Sequence, residues 1–588
     1  MVSYLLVKTK TYEKLCEHAG ISEPCAEYLY RKGITTPEEY DAFFGMRIAK
    51  MKKPKDMRDG TAFVETLARA VTDNKEITIY GDYDCDGIMA TSIMLLGLRK
   101  ISSANINWFV NNRFTEGYGM NIKGVKRMLD MYPNTEFVVT VDNGIKASEG
   151  IQYAKDNGIE VIVSDHHKQS EGEPLPNCIV VCEGRLDEPE ETKEHFCGAE
   201  LARRLISEVY IYLGIAKQNA VFLNGLCAYS GFATITDSVP MNKYNHEIAK
   251  VGLKLIENNY EMLWQVLNKK MKPARVNQDT IGFVYGPMFN APGRVIGTVD
   301  AGMDVILSAA DNDFEKASEC TDLLKEINEE RKKWASEDDE EAFAIAEVFG
   351  SDNFLVIDSE TFREGINGLT ASHLTEKYGV PAIVLSPVKG SDNIYKGSGR
   401  SVEGINLFDI LDGAREYMLG FGGHPMAAGL SVKKEDIPKL REALNKATPP
   451  KKEVSEKADF VCDASFITLD LIQDFVKLEP YGPEFEKPLF KISGKLRDFQ
   501  TMKDKHLKLF VNGNTNDDSL ITMLWWNCME IYKSYGKELT PGEIVKCIGT
   551  PEINQFRDSQ RIQMVIDKID YPHPVSKIPS WLMPNVSN

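Results

Sequence analysis

Gly81-Asp82-Tyr83-Asp84-Cys85-Asp86-Gly87 places three carboxylates at alternate positions in a stretch of seven residues. The run before it, EITIY (Glu76–Tyr80), favours a β-strand, and the apolar stretch after it, Ile88–Leu98, reads as a buried helix. The acids therefore fall on the turn leaving a strand, which is where α/β sheets place their ligands. Three carboxylates this close repel one another unless they are protonated or neutralised by a cation. A hard metal ion held by oxygen meets that need; the plainer alternative is a solvated acidic turn. An EF-hand is excluded, because the twelfth position counted from Asp82 is Ile93 where that loop needs a glutamate.

The same unit recurs downstream. Phe137–Val141 reads as a second buried strand and runs directly into Asp142-Asn143-Gly144. A helix-like stretch, Ala147–Asn157, is closed by Gly158, and a third strand, Ile159–Val163, runs into Ser164-Asp165-His166-His167. Strands alternating with helices imply a parallel sheet, whose C-terminal strand ends share one edge. Asp84, Asp86, Asp142, Asp165 and His166 are thus expected to converge. Asp237 ends a long apolar helical stretch and, taken alone, reads as a surface acid. Carboxylates with imidazoles suit Mn²⁺ or Mg²⁺ better than a structural zinc.

Composition sets the frame. The 588 residues suggest about four domains. No basic leader with an apolar core opens the chain, and no stretch is long and apolar enough for a membrane span, so a cytoplasmic protein with no membrane partner is expected. Eleven cysteines include no CxxC pair and read as reduced core thiols. A net charge of -18 does not suggest a nucleic-acid binder. Local basic runs, Lys269–Arg275 and Lys491–Lys508, could still line a groove.

The expected architecture is α/β. A helical segment (1–50), with Thr36-Pro37-Glu38-Glu39 as a helix start, precedes a parallel-sheet domain (51–310). A long connecting helix (311–349), read from Phe314, Ala317, Leu324, Ile327 and Arg331, leads to a smaller α/β domain (350–447). There Gly397-Ser398-Gly399-Arg400-Ser401 reads as a flexible turn whose arginine suits a phosphate. Gly422-Gly423-His424, followed by Ala427-Ala428-Gly429, allows close backbone packing with an imidazole in a tight corner; the plainer alternative is a packed helix entry with a satisfied histidine. A Pro- and Lys-rich linker (448–457) leads to an all-β OB-like barrel (458–570) of five strand-like runs, and an irregular tail (571–588) follows. In the barrel, Trp525, Trp526 and Phe556 beside Lys505, Lys508 and Arg557 could stack and hold single-stranded nucleic acid, although at least one tryptophan is expected in the core.

Taken together, GDYDCDG, VVTVDNG (Val138–Gly144), VSDHH (Val163–His167) and ATITDSVP (Ala233–Pro240) resemble the four ordered motifs of the DHH phosphoesterases. Their spacing resembles the RecJ-type branch of single-strand exonucleases. NRFTEGYG (Asn112–Gly119), IGFVYGPMFNAPGR (Ile281–Arg294), GSGRS (Gly397–Ser401) and GFGGHPMAAG (Gly420–Gly429) agree, and the resemblance runs from about residue 20 to about residue 570. It implies a metal-dependent enzyme that degrades single-stranded DNA from the 5′ end to mononucleotides, in recombination or repair.

The resemblance further implies two ions, Mn²⁺ or Mg²⁺, held by Asp82, Asp84, Asp86, Asp142, Asp165, His166, His167 and Asp237, some of these acting only to orient imidazoles. Asp84, Asp86, His166, His167 and His424 are the expected catalytic group, with His424 near the scissile phosphate. Arg113, Arg294, Ser398 and Arg400 would hold the 5′ phosphate. A monomer is expected, with a single-strand-binding protein or a helicase as further partners. Two other readings stand beside this one: a DHH phosphodiesterase of short oligoribonucleotides or cyclic dinucleotides, and a catalytically silent DNA-binding replication factor. The chain also departs from the family pattern. Phe362-Arg363 stands where Trp-His is usual, His373 where an arginine is usual, and VVCEGR lacks the usual Asn-Pro. Two of these changes are expected on the substrate side.

Overall fold

The computed structural model describes residues 10–190, 193–349, 352–391, 393–450, 458–513, 520–534, 538–556 and 559–570. Most of the expected linker, the tail and Arg557 lie outside the described residues, and so does the Phe556 side chain. Two compact units result. One combines Met1–Lys50, Pro240–Lys250 and Ser455–Asn588, and the other combines Met51–Val239 and Val251–Val454.

The larger unit is built on a parallel sheet. Its strands are β1 (Ile77–Gly81), β2 (Ile106–Val110), β3 (Phe137–Val141), β4 (Glu160–Asp165) and β5 (Ile179–Cys182), in the order β2-β1-β3-β4-β5. The three strands read from sequence are central. The two that were less legible, β2 and β5, are the edges. Every residue of β1 and β3 is buried, as expected of a sheet covered by helices on both faces. The helix after β1 begins at Cys85, not at Ile88, and Asp84 caps it by accepting the Gly87 N–H at 3.0 Å. Asp86 therefore lies in the first helical turn, not on a free turn.

A 35-residue helix, Phe314–Val348, buries Ala317, Leu324 and Ile327 on one face. It leads to a mixed sheet of β6 (Leu355–Asp358), β7 (Ala382–Pro387), β8 (Ile394–Arg400), β9 (Gly420–His424) and β10 (Ala427–Lys433), ordered β6-β7-β8-β10-β9. Two expectations are corrected here. Gly397–Arg400 is not a turn but part of β8, antiparallel to both β7 and β10. Its glycines answer crowding, since a Cβ on Gly397 would lie 2.5 Å from Leu385 Cδ2 and one on Gly399 3.0 Å from Ile383 Cγ1. Gly422-Gly423-His424 starts no helix; it forms the exposed edge strand β9, with Gly423 at φ +153 opposite Ala428.

In the smaller unit, Pro37 is the first residue of the helix Pro37–Phe44, and Thr36 and Glu39 form a reciprocal capping box. The all-β part comprises β11 (Phe460–Asp463), β12 (Phe490–Met502), β13 (His506–Asn512), β14 (Leu520–Trp525), β15 (Ile544–Phe556) and β16 (Ser559–Asp570). Pairing runs β12-β13-β14-β16-β15, and β15 pairs again with β12, which closes the barrel. The five strand-like runs read from sequence are these five strands. Trp525 is 4% exposed and Trp526 is 48% exposed. Trp525 is thus a core residue and offers no open face for a base; Trp526 is the exposed aromatic. Lys505 is exposed, and Lys508 extends over the Phe510 ring.

Candidate metal centre

The C-terminal ends of β1, β3 and β4 deliver the acids and imidazoles to one edge, and the helix Ala220–Thr236 adds Asp237 at its C-cap. Three overlapping sets each bring ligand atoms within 4.8 Å of one another: Asp82, Asp84 and Asp142; Asp142, His166 and His167; Asp86, His166 and Asp237. His166 Nε2 lies 3.1 Å from Asp142 Oδ1, 3.5 Å from Asp86 Oδ2 and 3.7 Å from Asp237 Oδ2. Asp237 is therefore part of the cluster.

Glycines make this density possible. Asp142 has a positive φ of 59, and Gly144 behind it lies at φ +123 with Thr140 and Val163 close by. Asp86 is 1% exposed and accepts from the Gly198 N–H at 2.6 Å and the Ala199 N–H at 2.7 Å. These are the first N–H groups of the helix Gly198–Tyr212, which suits an anion.

Burial, then repulsion from neighbouring carboxylates, raises Asp82, Asp84, Asp142 and Asp237 above the usual carboxylate range. Asp165 behaves differently. Burial alone would raise it, but His167 beside it holds it at about 2. Its Oδ1 accepts from the His166 N–H and the His167 N–H and lies 2.8 Å from His167 Nδ1, while Oδ2 accepts from the Ile145 N–H. With both oxygens committed, Asp165 orients the His167 imidazole, holds the His166 backbone, and is poorly placed to be a ligand.

The donor set fits a divalent cation. Asp142 Oδ1 and His166 Nε2 are fully buried and have no hydrogen-bond partner among the described residues, although only 3.1 Å separates them. Two buried lone-pair donors aimed into one space, amid carboxylates, lose free energy unless a cation satisfies them. Cys85, Cys182 and Cys197 surround the site, but burial pushes all three thiols up. Cys85 and Cys182 donate to the carbonyls of Gly286 and His167. The hard oxygen and imidazole donors are the ones presented.

Beside the acids lies a cluster of guanidinium groups. Burial, then the charges of Arg113, Arg331 and Arg400, brings Arg294 down to about 10. Arg400 Nη1 donates to Ser398 Oγ at 3.1 Å and to Gly399 O at 2.8 Å. A Cβ on Gly368 would lie 2.9 Å from Arg400 Nη2 and 3.0 Å from Ser398 Oγ, so this glycine keeps the pair accessible. Arg113, Ser398, Lys396 and Tyr83 line a cavity of about 420 Å³. The four expected phosphate residues thus come together. Arg331 joins them from the long helix, where a cation in an otherwise apolar stripe was the overlooked signal. Tyr83, set between the acids of the opening motif, lies under the Arg113 guanidinium at 5.1 Å.

The expected substrate-side departures, Arg363 and His373, are engaged by the connecting helix. Arg363 Nη1 pairs with Asp338 Oδ1 at 2.7 Å, Nη2 pairs with Glu337 Oε2 at 2.6 Å, and the guanidinium lies over the Trp334 ring. His373 Nδ1 is 2.7 Å from Asp339 Oδ2. Both side chains bind one acidic stretch of the connecting helix. Burial, only partly offset by Arg363, pushes Asp338 up to about 6. Lys505, Lys508 and Trp526 belong to the other compact unit.

Comparison with known proteins follows the same division of the chain. Residues 76–228 match the DHH family N-terminal domain, 351–448 the DHHA1 domain and 458–568 the RecJ OB domain. The single-stranded-DNA-specific exonuclease RecJ of Bacillus subtilis is 29% identical over 569 residues, which is 94% of this chain and 69% of that protein. Its Escherichia coli counterpart is 27% identical over 86% of this chain and 89% of its own. The crystal structure of RecJ from Thermus thermophilus in complex with Mn²⁺ matches at a TM-score of 0.77, with 21% identity over 97% of this chain and 79% of that one. At that identity the match establishes the fold.

Proposed function

We propose, from the premise that the chain belongs to the RecJ-type DHH phosphoesterases, that it is a metal-dependent exonuclease hydrolysing single-stranded DNA from the 5′ end to mononucleotides. One observation carries the reading: a largely buried carboxylate–imidazole cluster adjoins a half-buried arginine cluster, close enough for Asp84 to act on Arg294. The first cluster suits a phosphodiester about to be cut. The second suits a terminal phosphate, whose near-double charge a group of guanidiniums matches better than a diester's single charge.

Asp82, Asp84, Asp86, Asp142, His166 and Asp237 would hold two ions, Mn²⁺ or Mg²⁺, with His167 at the margin and Asp165 orienting the His167 imidazole. When bound, such ions supply water activation near neutral pH and offset charge on the attacking and leaving oxygens. The chain's own residues do the positioning. Arg113, Arg294, Ser398 and Arg400 fix the terminal phosphate, so that the bond one nucleotide along meets the acids. His424, across the cleft from His167, faces the scissile phosphate. No side chain forms a covalent bond to substrate.

The remaining assignments share this reading. Residues 51–310 form the catalytic domain, 350–447 the phosphate-holding domain and 458–570 a barrel that holds the strand through Trp526, Lys505 and Lys508. Among the described residues no helix is long and apolar enough to cross a membrane. A cytoplasmic monomer acting in recombination or repair, with a single-strand-binding protein or a helicase as partner, accords with the proposal.

The test is a 3′-labelled single strand incubated with Mn²⁺, Mg²⁺ or chelator, beside a 5′-labelled copy and a duplex. A ladder shortening from the 5′ end with metal only, abolished by Asp84→Ala or His166→Ala, supports the proposal. Survival of long strands while cyclic dinucleotides or short oligoribonucleotides are cut overturns it in favour of a small-substrate phosphodiesterase. Binding without cleavage would mark a silent replication factor.

A further inference from the structure

The order of strands in the parallel sheet gives the metal centre two sides. Arg113 follows β2, the acids of the opening motif follow β1, Asp142 and Lys146 follow β3, and His167 follows β4, in the spatial order β2-β1-β3-β4. The arginine cavity therefore opens at the β2 end. At the β3–β4 end lies a second cavity of about 710 Å³, lined by Asp165, His167, Lys146, His424 and Tyr118. The two cavities share no lining residue. Tyr83 borders the first and Tyr118 the second, and their rings meet edge to face with centroids 6.3 Å apart. Tyr118 also lies edge-on to the His167 ring, at 5.8 Å.

The second cavity has the mixed character of a nucleotide site. Met120, Ile145 and Ala147 form a buried apolar wall, suited to a base. Lys146 is exposed and has no ion-pair partner among the described residues. Positive charge also gathers at His424, whose imidazole is held down by burial and then by Lys146, His167 and Lys168. Glu149 and Glu173 line the same cavity and are exposed, so a phosphate is admitted only on the lysine side.

We propose that this cavity is the subsite for the nucleotide immediately 3′ of the scissile bond, with Lys146 steering its backbone and the Met120–Ile145–Ala147 wall receiving its base. The proposal rests on the exonuclease reading. Water attacks the phosphorus, the bond to O3′ of the terminal nucleotide breaks, and that O3′ leaves with a proton. The phosphate stays on the nucleotide in this cavity as a new 5′ end, one step from the arginine cluster. The cavity thus acts on the retained strand and not on the released mononucleotide.

The test uses the whole protein with Mn²⁺ and a 5′-phosphorylated dT oligomer of about twelve nucleotides, intact or with one abasic residue at the second or the sixth position. First-bond cleavage is expected to fall about tenfold for the second position, because an apolar seat for the base is lost, and to be unchanged for the sixth. Lys146→Ala is expected to raise KM about fivefold with kcat nearly constant, as for a single phosphate contact. Ser148→Trp, on an exposed cavity position, fills the space and erases the sensitivity to the second base. Equal rates for both abasic strands, or a KM unchanged in both variants, overturn the proposal while leaving the exonuclease reading intact. No cleavage of the unmodified strand by wild type overturns both.

Discussion

Gly198 stands so close to Asp142 that a Cβ built on it would lie 2.7 Å from both Cβ and Oδ1 of that aspartate. The N–H of the same glycine donates to Asp86 Oδ2 at 2.6 Å. One residue without a side chain thereby seats two carboxylates from different strand ends. Gly198→Ala is expected to displace both and lower kcat about 100-fold. Stability should fall by only about 1–3 kcal/mol. Rates and a thermal melt check this, and a rate within about twofold of wild type would remove Gly198 from the account.

Arg400 donates to Ser398 on β8, and Ser398 lines the same cavity as Arg113. Arg400→Ala should weaken 5′-phosphorylated strands about 10- to 100-fold, the worth of one charge-assisted contact, and spare 5′-hydroxyl strands. Equal effects on both ends would show that the cluster does not read a terminal phosphate.

The pairing of Arg363 with Asp338 predicts a structural role for a position that departs from the family pattern. Asp338 is 3% exposed, so Arg363→Ala leaves a buried carboxylate without its cation. Arg363 is partly solvated, so the cost should be about 1–3 kcal/mol. Adding Asp338→Ala should recover part of it, since the two are coupled. Melting curves of the double-mutant cycle decide. Hydrolysis of short strands by folded Arg363→Ala should match wild type.

His246 is 1% exposed, with Nε2 3.0 Å from Leu478 O. Burial, opposed by that hydrogen bond and aided by Lys250, brings the imidazole down to about 4. A depressed histidine adds stability that is fully present above its unfolded pKa of about 6.5 and is lost as pH falls towards the folded value. Stability should therefore be about 2 kcal/mol lower at pH 5 than at pH 7 from this group alone. Denaturant melts of His246→Gln should show a flatter pH dependence in that window, and an unchanged slope would refute the assignment.

Trp525 and Trp526 are neighbours with opposite exposure. Trp526→Ala should weaken single-strand binding by about 1–3 kcal/mol and leave the melt unchanged. Trp525→Ala should destabilise the barrel by about 3–5 kcal/mol. Fluorescence titration with oligo-dT separates the two effects.

The catalytic edge was legible in the sequence because its determinants are local. Each strand, acidic turn and helix lies within a short segment, and the alternation of strands and helices alone places Asp84, Asp142 and His166 at one sheet edge. The barrel strands were legible for the same reason: their hydrophobic period is carried within each run. The edge strand Ile106–Val110 was less so, because its burial is incomplete and its pattern weak.

What only the tertiary structure decided depends on segments far apart in the chain. Arg113, Arg294, Arg331 and Arg400 come from a loop, two helices and a strand, and no local pattern says that they meet. Gly397-Ser398-Gly399 looks like a turn until β7 and β10 close on either side and leave room only for small residues. Asp165 resembles a ligand until four contacts take up its oxygens, and Arg363 resembles a substrate residue until the connecting helix supplies Asp338. Local periodicity sets which residues a segment turns inward. Which distant charge or methyl group they then meet is settled by packing, where desolvation makes each unpaired charge costly and each filled space final.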